Sequence, residues 1–485
     1  MRGILLAALL ALLGQAAHAS DLEVRSPQGE IWARPGELVD VVVSGPPGEP
    51  VHLAGPRGVV LPLAEGGPGV YRGSVVLESP GPWKVVWGRK ALPLGPIRLL
   101  GPGLPVAEVA RDGAVYRSGP GDAPDRYDPL PAGYRFLVSG KREGWLRLEP
   151  AGGWVHESSV RLGPQAPSRP ALSGIRVLEP GDGSARLVLR LGEPAPWQVL
   201  AEPESDRLQL WLPGASETMG EVQYDRTARR VRGIRLVPSE RGTRVELDLG
   251  PGGLWGYRLE WRAPDLVWTL APPPSLPRLR EAGRPLEGLC AALDPGHGGS
   301  DDGAVGRDGR KEKDVNLEVC LALRRDLEEA GARVVLIRDA DVSLAAPGAG
   351  AEEELGARVR RAEEAGARVF LSVHHNARPD VAEGRVAHGT HVYYYRPQSL
   401  ELARRLAAPL AAALGEPDSA FLWRSFHVIR QAGMPAVLVE VNFLSNPEVE
   451  ARTRQTDYAG LAAGGILQGL VDFLRHSLAA PAGEE

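Results

Sequence analysis

Short alternations of apolar and polar residues fill roughly the first 270 positions of the chain, and turns rich in glycine and proline separate them. Such alternation is typical of half-buried β-strands. From about residue 288 the pattern changes, because apolar runs of strand length alternate with longer segments of helical periodicity. The sequence therefore predicts a multidomain protein, with N-terminal all-β modules followed by a C-terminal α/β domain whose mixed sheet is flanked by helices.

A glycine-rich turn follows the first apolar run of the C-terminal part. The run Cys290–Leu293 is predicted to be a short buried strand, and His297 lies in the turn after it. Residues 315–330 then place apolar side chains at helical spacing, with Asp314 as the predicted N-cap and Glu312 just before the helix. In open α/β sheets ligands bind at the carboxyl ends of the strands, so His297 and Glu312 are candidate ligands of a catalytic metal.

Two later apolar runs also end in residues that bind metals or protons. Val369–Val373 precedes His374 and His375, and Ala436–Val439 precedes Glu440. Two histidines and one glutamate form a catalytic zinc set that leaves a coordination position for water, and a further carboxylate can accept the proton of that water. From these patterns alone, the choice between the two neighbouring histidines stays open.

Four motifs in the same region resemble a known family. They are the segments DPGHGG at 294–299, EKDVNL at 312–317, SVHHNA at 372–377 and VEVNFLSNP at 439–447. With these motifs, the chain from about Leu289 to its C-terminus is similar to the zinc-dependent N-acetylmuramoyl-L-alanine amidases of the amidase_3 family. It predicts a catalytic domain at residues 288–478.

The family resemblance also assigns roles to particular residues. It implies that one Zn²⁺ is held by His297, Glu312 and His374, and that Glu440 is the catalytic base. The family usually has a small or non-ligating residue where His375 stands. We therefore expect His375 to have a role other than metal binding.

The function implied by this resemblance is peptidoglycan hydrolysis. Zinc-activated water would cleave the amide bond between N-acetylmuramic acid and the L-alanine of the stem peptide. Two other hypotheses stay open, namely another zinc peptidase of the cell wall and a non-catalytic cell-wall-binding scaffold. The expected partners are peptidoglycan and a divisome or activator protein, which would connect the chain to cell division.

The N-terminus has the pattern of an export signal. Residues 1–19 are predicted to be a secretory signal peptide, because a basic start is followed by the apolar core Ile4–Leu13 and by a small-residue cleavage site before Ser20. The core is too short to span a bilayer. We expect the mature chain to have no transmembrane anchor and to be secreted across the cytoplasmic membrane into the periplasm or cell envelope.

Three β units are predicted between the signal peptide and the catalytic domain. Residues 20–102 have the strand spacing of a β-sandwich. Residues 103–163 resemble bacterial SH3-like domains, with glycine–tryptophan pairs at Trp145 and Trp154 that we expect to fill the core of a small barrel. Residues 171–271 resemble an AMIN domain.

The AMIN resemblance rests on an internal repeat. The segments Gly174–Val177 and Ala185–Leu191 are echoed by Gly233–Leu236 and Thr243–Leu249. The alternation within both halves predicts two similar β-sheets packed on each other.

Composition excludes some classes of protein. The formal net charge of −5 over 485 residues argues against nucleic acid as a partner. The chain has only two cysteines, Cys290 and Cys320, so it is not a disulfide framework. Because one lies on a predicted strand and the other on the following helix, we expect two buried thiols.

Other polar residues of the catalytic domain carry weaker signals. His391 and His427 are expected to be hydrogen-bonded side chains near the cleft, and His427–Arg430 is predicted to be a strand. Arg358 has two interpretations, the binding of a substrate carboxylate or a salt bridge on its own helix.

Overall fold

The computed structural model describes residues 21–121, 126–201, 207–218, 221–226, 228–250, 253–346, 348–378 and 387–478. The predicted signal peptide lies outside the described residues. Within those ranges, no helix combines the length and the apolar character needed to cross a membrane.

The first β unit is a sandwich of two four-stranded sheets. Its ten strands are β1 Glu23–Ser26, β2 Ile31–Ala33, β3 Glu37–Ser44, β4 Val51–Ala54, β5 Val60–Pro62, β6 Ala64–Gly67, β7 Val70–Leu77, β8 Lys84–Trp87, β9 Lys90–Pro93 and β10 Ile97–Leu99. The two sheets of the sandwich have the strand orders β1-β3-β7-β6 and β5-β4-β8-β9, and the remaining strands β2 and β10 pair with each other in a further sheet. Alternate residues such as Val39, Val41 and Val43 face the core between the sheets, as the sequence pattern requires.

The second β unit shares a sheet with the first. Its strands are β11 Val106–Val109, β12 Tyr116–Arg117, β13 Arg135–Arg142, β14 Trp145–Glu149, β15 Trp154–His156 and β16 Val160–Gly163. Strand β13 pairs with β2 at Lys141 and Trp32, and the Trp32 ring lies in the core of the second unit. The sheet thus continues across the predicted boundary at residue 102, and the division into domains stays a prediction.

The third β unit is a sandwich of two sheets, and each sheet combines strands from both halves of the internal repeat. Its strands are β17 Ala171–Leu172, β18 Gly174–Leu178, β19 Ala185–Arg190, β20 Gln198–Ala201, β21 Arg207–Pro213, β22 Ser216–Glu217, β23 Val222–Tyr224, β24 Val231–Ser239, β25 Gly242–Leu249, β26 Gly256–Arg262 and β27 Asp265–Ala271. The sheets have the orders β23-β18-β19-β27-β26 and β20-β21-β25-β24. Each repeated hairpin therefore pairs with a strand from the other half, which the repeat alone did not predict.

The C-terminal domain has one mixed sheet between two layers of helices. Its strands are β28 Cys290–Pro295, β29 Arg333–Leu336, β30 Val369–Asn376, β31 Thr390–Tyr394, β32 Ser419–Trp423 and β33 Ala436–Phe443. Its helices are α1 Glu312–Glu329, α2 Ala351–Glu364, α3 Leu400–Leu414, α4 His427–Gln431, α5 Pro447–Arg452 and α6 Tyr458–Ser477. The strand order is β29-β28-β30-β33-β31-β32, and the first four strands are parallel.

Both faces of this sheet are covered. Helices α1, α3 and α6 pack their apolar faces on one side, and α2 and α4 cover the other side. The predicted fold class is confirmed: N-terminal β-sheet modules precede a C-terminal domain with a mixed sheet and flanking helices.

Two local predictions in this domain were wrong. The segment His427–Arg430 belongs to helix α4 rather than to a strand. Short apolar runs such as Val428-Ile429 fit either structure, so periodicity does not distinguish them. Helix α1 begins at Glu312, with Lys311 rather than Asp314 as its N-cap.

Candidate metal centre

Three neighbouring strands end at one edge of the C-terminal sheet. Strand β30 lies between β28 and β33 and runs parallel to both. In this register Asp294 is opposite Ser372, and His374 is opposite Glu440. Polar residues that are 66 positions or more apart in the chain therefore meet at the carboxyl ends of the strands.

The turn after β28 depends on a glycine and on an unusual histidine conformation. A Cβ atom on Gly296 would lie 2.2 Å from the ring of His374, so only glycine fits there. His297 has a φ of 63°, in the left-handed region that costs a non-glycine residue about 1 kcal/mol or more. This backbone directs the imidazole of His297 toward Glu312.

One carboxylate oxygen of Glu312 lies within hydrogen-bond distance of both imidazole rings. Oε1 of Glu312 lies 3.1 Å from Nε2 of His297 and 3.0 Å from Nδ1 of His374. The ligand atoms of the three residues all lie within 4.8 Å of one another. Two imidazole nitrogens and a carboxylate oxygen at this spacing fit one zinc ion with an open coordination position.

Backbone and side-chain donors fix the carboxylate of Glu312. The backbone N–H of Ala304 donates to Oε2 at 2.8 Å, and the N–H of His375 donates to Oε1 at 3.1 Å. Burial acts to raise the pKa of Glu312, but the hydrogen bonds with His297 and His374 outweigh it and hold that pKa well below its usual range. Glu312 is thus an anion, as a metal ligand must be.

A second carboxylate orients His297 from behind. Nδ1 of His297 lies 2.8 Å from Oδ2 of Asp301. Burial acts to lower the pKa of His297, but the hydrogen bonds with Glu312 and Asp301 raise it to about 9. A carboxylate on the outer nitrogen fixes the ring and strengthens an imidazole as a metal ligand. Asp301 was not among the residues predicted from the sequence, although its position four residues after His297 in the same loop was the available signal.

His375 lies on the opposite face of β30 from His374. It is 1% exposed, and its ring nitrogens contact Oδ1 of Asn316 at 2.8 Å and the hydroxyl of Tyr458 at 2.9 Å. Burial lowers the pKa of His375 to about 3, so the ring is neutral. These contacts account for both nitrogens of His375, in agreement with the expected role outside the metal set.

The carboxylate of Glu440 faces the three candidate metal ligands, and one of its oxygens makes no hydrogen bond among the described residues. Oε2 of Glu440 is buried and has no hydrogen-bond partner among the described residues. Burial raises the pKa of Glu440 to about 7, against the opposing effect of His374. A buried carboxylate with an unused oxygen and a near-neutral pKa is suited to accept a proton.

Two arginines support the turn from below. Arg358 is 3% exposed, and it donates to Oδ1 of Asp294 at 2.8 Å and to Glu354 at 3.0 Å. The salt-bridge interpretation of Arg358 is therefore confirmed, and the guanidinium also donates to the carbonyl of His297 at 2.8 Å. Arg338 donates to the carbonyls of Pro295 at 2.9 Å and of neighbouring residues, a role that the sequence did not reveal.

The expected hydrogen bonding of two other histidines was wrong for one ring nitrogen of each. Nδ1 of His391 and Nδ1 of His427 are buried and find no hydrogen-bond partner within the part of the chain that the structure describes. His391 lies directly opposite Glu440 on the antiparallel strand β31. The expected position of His391 near the cleft agrees with this pairing, but the pairing of β31 with β33 itself is not visible in local periodicity.

The fold and the site together define a class of protein. A mixed sheet between helices carries a His–Glu–His set at the carboxyl ends of its strands, with a free carboxylate beside it. This is the arrangement of a metal-dependent hydrolase.

Comparison with known proteins identifies the family. The Amidase_3 model, described as N-acetylmuramoyl-L-alanine amidase, matches residues 292–472. The chain is 34% identical over 220 residues to the uncharacterized protein YqiI of Bacillus subtilis, covering 44% of this chain and 97% of YqiI. It is 32% identical over 198 residues to the germination-specific N-acetylmuramoyl-L-alanine amidase of the same organism, covering 39% of this chain and 81% of that amidase. The chain belongs to the N-acetylmuramoyl-L-alanine amidase family.

Other relatives match a similar share of the chain. The chain is 34% identical over 195 residues to the N-acetylmuramoyl-L-alanine amidase LytC of Bacillus subtilis, but this match spans 39% of this chain and only 36% of LytC. Among solved structures, the catalytic domain of CwlV from Bacillus (Paenibacillus) polymyxa is 36% identical, with a TM-score of 0.35, and the match covers 38% of this chain and 98% of that domain.

These findings confirm the predicted class of enzyme for the C-terminal domain. It is an N-acetylmuramoyl-L-alanine amidase domain of the peptidoglycan-hydrolase class, and its His–Glu–His set fits the zinc site of this family. A cell-wall amidase works outside the cytoplasm, at the cell envelope.

Proposed function

We propose that this chain is an exported hydrolase of peptidoglycan. It cleaves the amide bond that joins the lactyl group of N-acetylmuramic acid to the L-alanine of the stem peptide. The observation that most supports this function is the buried Oε2 of Glu440, which has no hydrogen-bond partner within the described ranges and lies beside the set of His297, Glu312 and His374.

The roles of the residues follow from their contacts. His297, Glu312 and His374 hold the zinc ion, and Asp301 fixes the ring of His297. When bound, zinc supplies Lewis acidity, which lowers the pKa of water and polarises the carbonyl of the substrate.

Glu440 moves the proton between water and the leaving group. Its carboxylate accepts a proton as the water oxygen forms a bond to the amide carbon, and it donates that proton to the nitrogen of L-alanine as the C–N bond breaks. The products are a lactyl carboxylate on the glycan and a peptide with a free amino terminus. A pKa near 7 in the buried site suits a group that first accepts and then donates a proton.

The β modules attach the catalytic domain to its substrate or to protein partners. We assign residues 103–163 to an SH3-like module and residues 171–271 to an AMIN-like module, with a divisome or activator protein as the protein partner. Contacts of the SH3-like module support a fixed position beside the catalytic domain. Arg126 pairs with Glu352 at 2.6 Å, and the carbonyl of Arg126 accepts from the hydroxyl of Tyr395 at 3.1 Å.

Export of the chain follows from the predicted signal peptide at residues 1–19.

Analysis of digested peptidoglycan by mass spectrometry tests this function. The zinc-loaded full chain should release peptides that begin with a free L-alanine amino group and glycan that keeps the lactyl carboxyl group. Glu440→Ala should release neither, while Glu448→Ala, which alters an exposed glutamate eight residues later, should cleave like the wild type. Cleavage within the stem peptide would indicate another zinc peptidase, and no cleavage by the wild type would indicate a wall-binding scaffold.

A further inference from the structure

A second cleft lies between the third β unit and the base of the catalytic domain. Its volume is about 410 Å³, within the range of small-ligand sites. One wall is the outer face of strands β19, β27 and β26, and the other wall is formed by residues 366–368 and 433–434, just before β30 and β33. Since β30 has eight residues, the cleft lies about 25 Å from the metal set, at the opposite end of the strands.

The two walls are fastened to each other. The indole N–H of Trp255 donates to the carbonyl of Arg368 at 2.7 Å, and Arg258 pairs with Glu363 across the cleft at 2.7 Å. A Cβ atom on Gly256 would lie 2.1 Å from the carbonyl oxygen of Gly433, so the backbones are in close contact. The cleft is therefore formed before any ligand binds.

Positive charge exceeds negative charge along the cleft. Four arginines line it, but only two glutamates do: Arg186, Arg258, Arg262, Arg368, Glu260 and Glu363. The two glutamates are already paired, Glu363 with Arg258 and Glu260 with Arg262. Among the described residues, no carboxylate lies within ion-pair distance of Arg186 or Arg368.

Arg368 is the clearest sign of an absent anion. Its Nε is buried and has no hydrogen-bond acceptor in the described ranges, and one of its terminal nitrogens donates only to the carbonyl of Pro272. Burial lowers the pKa of Arg368. A half-buried guanidinium without a counter-ion is unfavourable, and a bound carboxylate would remove that cost.

Arg186 lies on the wall that faces Arg368. It is opposite Thr269 on β27, which is opposite Arg258 on β26, so the three side chains form a row across one face of the sheet. Apolar side chains, including Val267 and Met434, complete the lining. Guanidinium groups on both walls with apolar surface between them match a short chain that carries two carboxylates.

We propose that this cleft is a second binding site, separate from the metal centre, for a short acidic peptide with at least two free carboxylates. The cleft itself defines this chemistry. The choice of a wall stem peptide as its source rests on the proposed function.

Calorimetric titration of the zinc-loaded full chain tests the site. The probe is N-acetyl-L-alanyl-γ-D-glutamyl-L-alanine, which has two free carboxylates and no ammonium group, and the same peptide with both carboxylates amidated is the comparison. The wild type should bind the free acid with a Kd of about 1 mM or lower and should not bind the diamide. Arg186→Gln and Arg368→Gln should each weaken binding about tenfold.

Arg190→Gln is the matched control. Arg190 lies on the same strand and the same face as Arg186, but it is outside the cleft and pairs with Asp265. This variant should bind the peptide like the wild type, and Arg186→Gln should still cleave soluble wall fragments at the wild-type rate. Because binding and cleavage are measured separately, a failed amidase assay would not affect the result at the cleft.

Two outcomes would overturn the proposal. One is the absence of saturable binding by the wild type. The other is equal binding by Arg186→Gln, Arg368→Gln and Arg190→Gln, which would place the peptide elsewhere, for example at the metal centre.

Discussion

Arg358 and Asp294 form a buried ion pair of 2.8 Å directly beneath the turn that carries His297. Neither side chain is more than 3% exposed, and Oδ2 of Asp294 also accepts from the hydroxyl of Ser372 on the neighbouring strand at 2.7 Å. The pair therefore connects helix α2 to strands β28 and β30 at the point where the candidate ligands emerge.

Removing one member of this pair should destabilise the domain strongly. Arg358→Ala leaves the carboxylate of Asp294 buried without its cation, so we expect a loss of about 3 kcal/mol in the free energy of unfolding. Arg324→Ala breaks the exposed pair with Glu328 and should cost less than about 1 kcal/mol. Denaturant unfolding of the two variants measures the difference. Equal and small losses would show that the Arg358 pair does not hold the turn.

The two neighbouring histidines should differ in metal binding. His374→Ala removes a ligand from the set around Glu312, so we expect no stoichiometric zinc after dialysis. His375→Gln should keep one zinc per chain, because His375 contacts Asn316 and Tyr458 on the other face of the strand. It should lower the stability by about 2 kcal/mol, since buried polar partners lose their contacts. Metal analysis with thermal unfolding checks both results, and loss of zinc from His375→Gln would contradict the assignment.

Asp301 should tune the affinity for zinc without binding it. Asp301→Ala removes the carboxylate that contacts Nδ1 of His297, and we expect zinc affinity to fall about 10- to 100-fold. Competition with a zinc chelator measures this change. Asp308→Ala is the control, because Asp308 lies in the same loop and its hydrogen bonds to Glu450 and Arg454 are made by its backbone. The zinc affinity of this variant should stay at the wild-type value.

The pH dependence of cleavage should reflect Glu440. The folded site raises its pKa from the ordinary value of 4.5 to about 7, and a bound dication would lower the pKa again. Because Glu440 must be ionised to accept a proton, kcat/KM should rise with pH, with a midpoint between about 4.5 and 7. Glu440→Gln should lose this acidic limb along with about 100-fold or more of the rate while keeping its zinc. If Glu440→Gln kept the acidic limb of the pH profile, that limb would reflect the titration of another group.

The two cysteines should remain free thiols. Cys290 faces the core under α2, and Cys320 faces the core under α1, so the sheet separates them. Burial raises the pKa of Cys320 well above its usual value, which makes the thiol unreactive. Alkylation after denaturation without reductant should add two labels per chain, and native alkylation should add none to Cys320. A chain that takes no label after denaturation would contain a disulfide.

Sequence reasoning succeeded where local signals were strong. The apolar runs that became β28, β30 and β33 are continuous and buried on both faces, and each is followed by an unusual polar residue. For that reason the strand ends could be named as a candidate metal site, whereas the family resemblance was needed to choose His374 over His375 and to assign the roles. The structure brings His297, Glu312, His374 and Glu440 to one edge of the sheet.

The remaining features depend on contacts that are distant in sequence. The exchange of strands between the halves of the third β unit depends on the pairing of β19 with β27, about 80 residues later. Tertiary packing also sets the anchoring role of Arg338 and buries Nδ1 of His391, which has no hydrogen-bond partner in the part of the chain that the structure describes. Helix α4 has only five residues, which is too few for its apolar pattern to be distinguished from a strand.

The central claim is that one zinc ion lies between His297, Glu312 and His374 in the active enzyme. Anomalous diffraction at the zinc edge, from crystals of the zinc-loaded chain, tests it most directly. We predict one strong peak within about 2.3 Å of Nε2 of His297, Nδ1 of His374 and a carboxylate oxygen of Glu312. A peak on other residues, or no peak in protein that cleaves peptidoglycan, would contradict it.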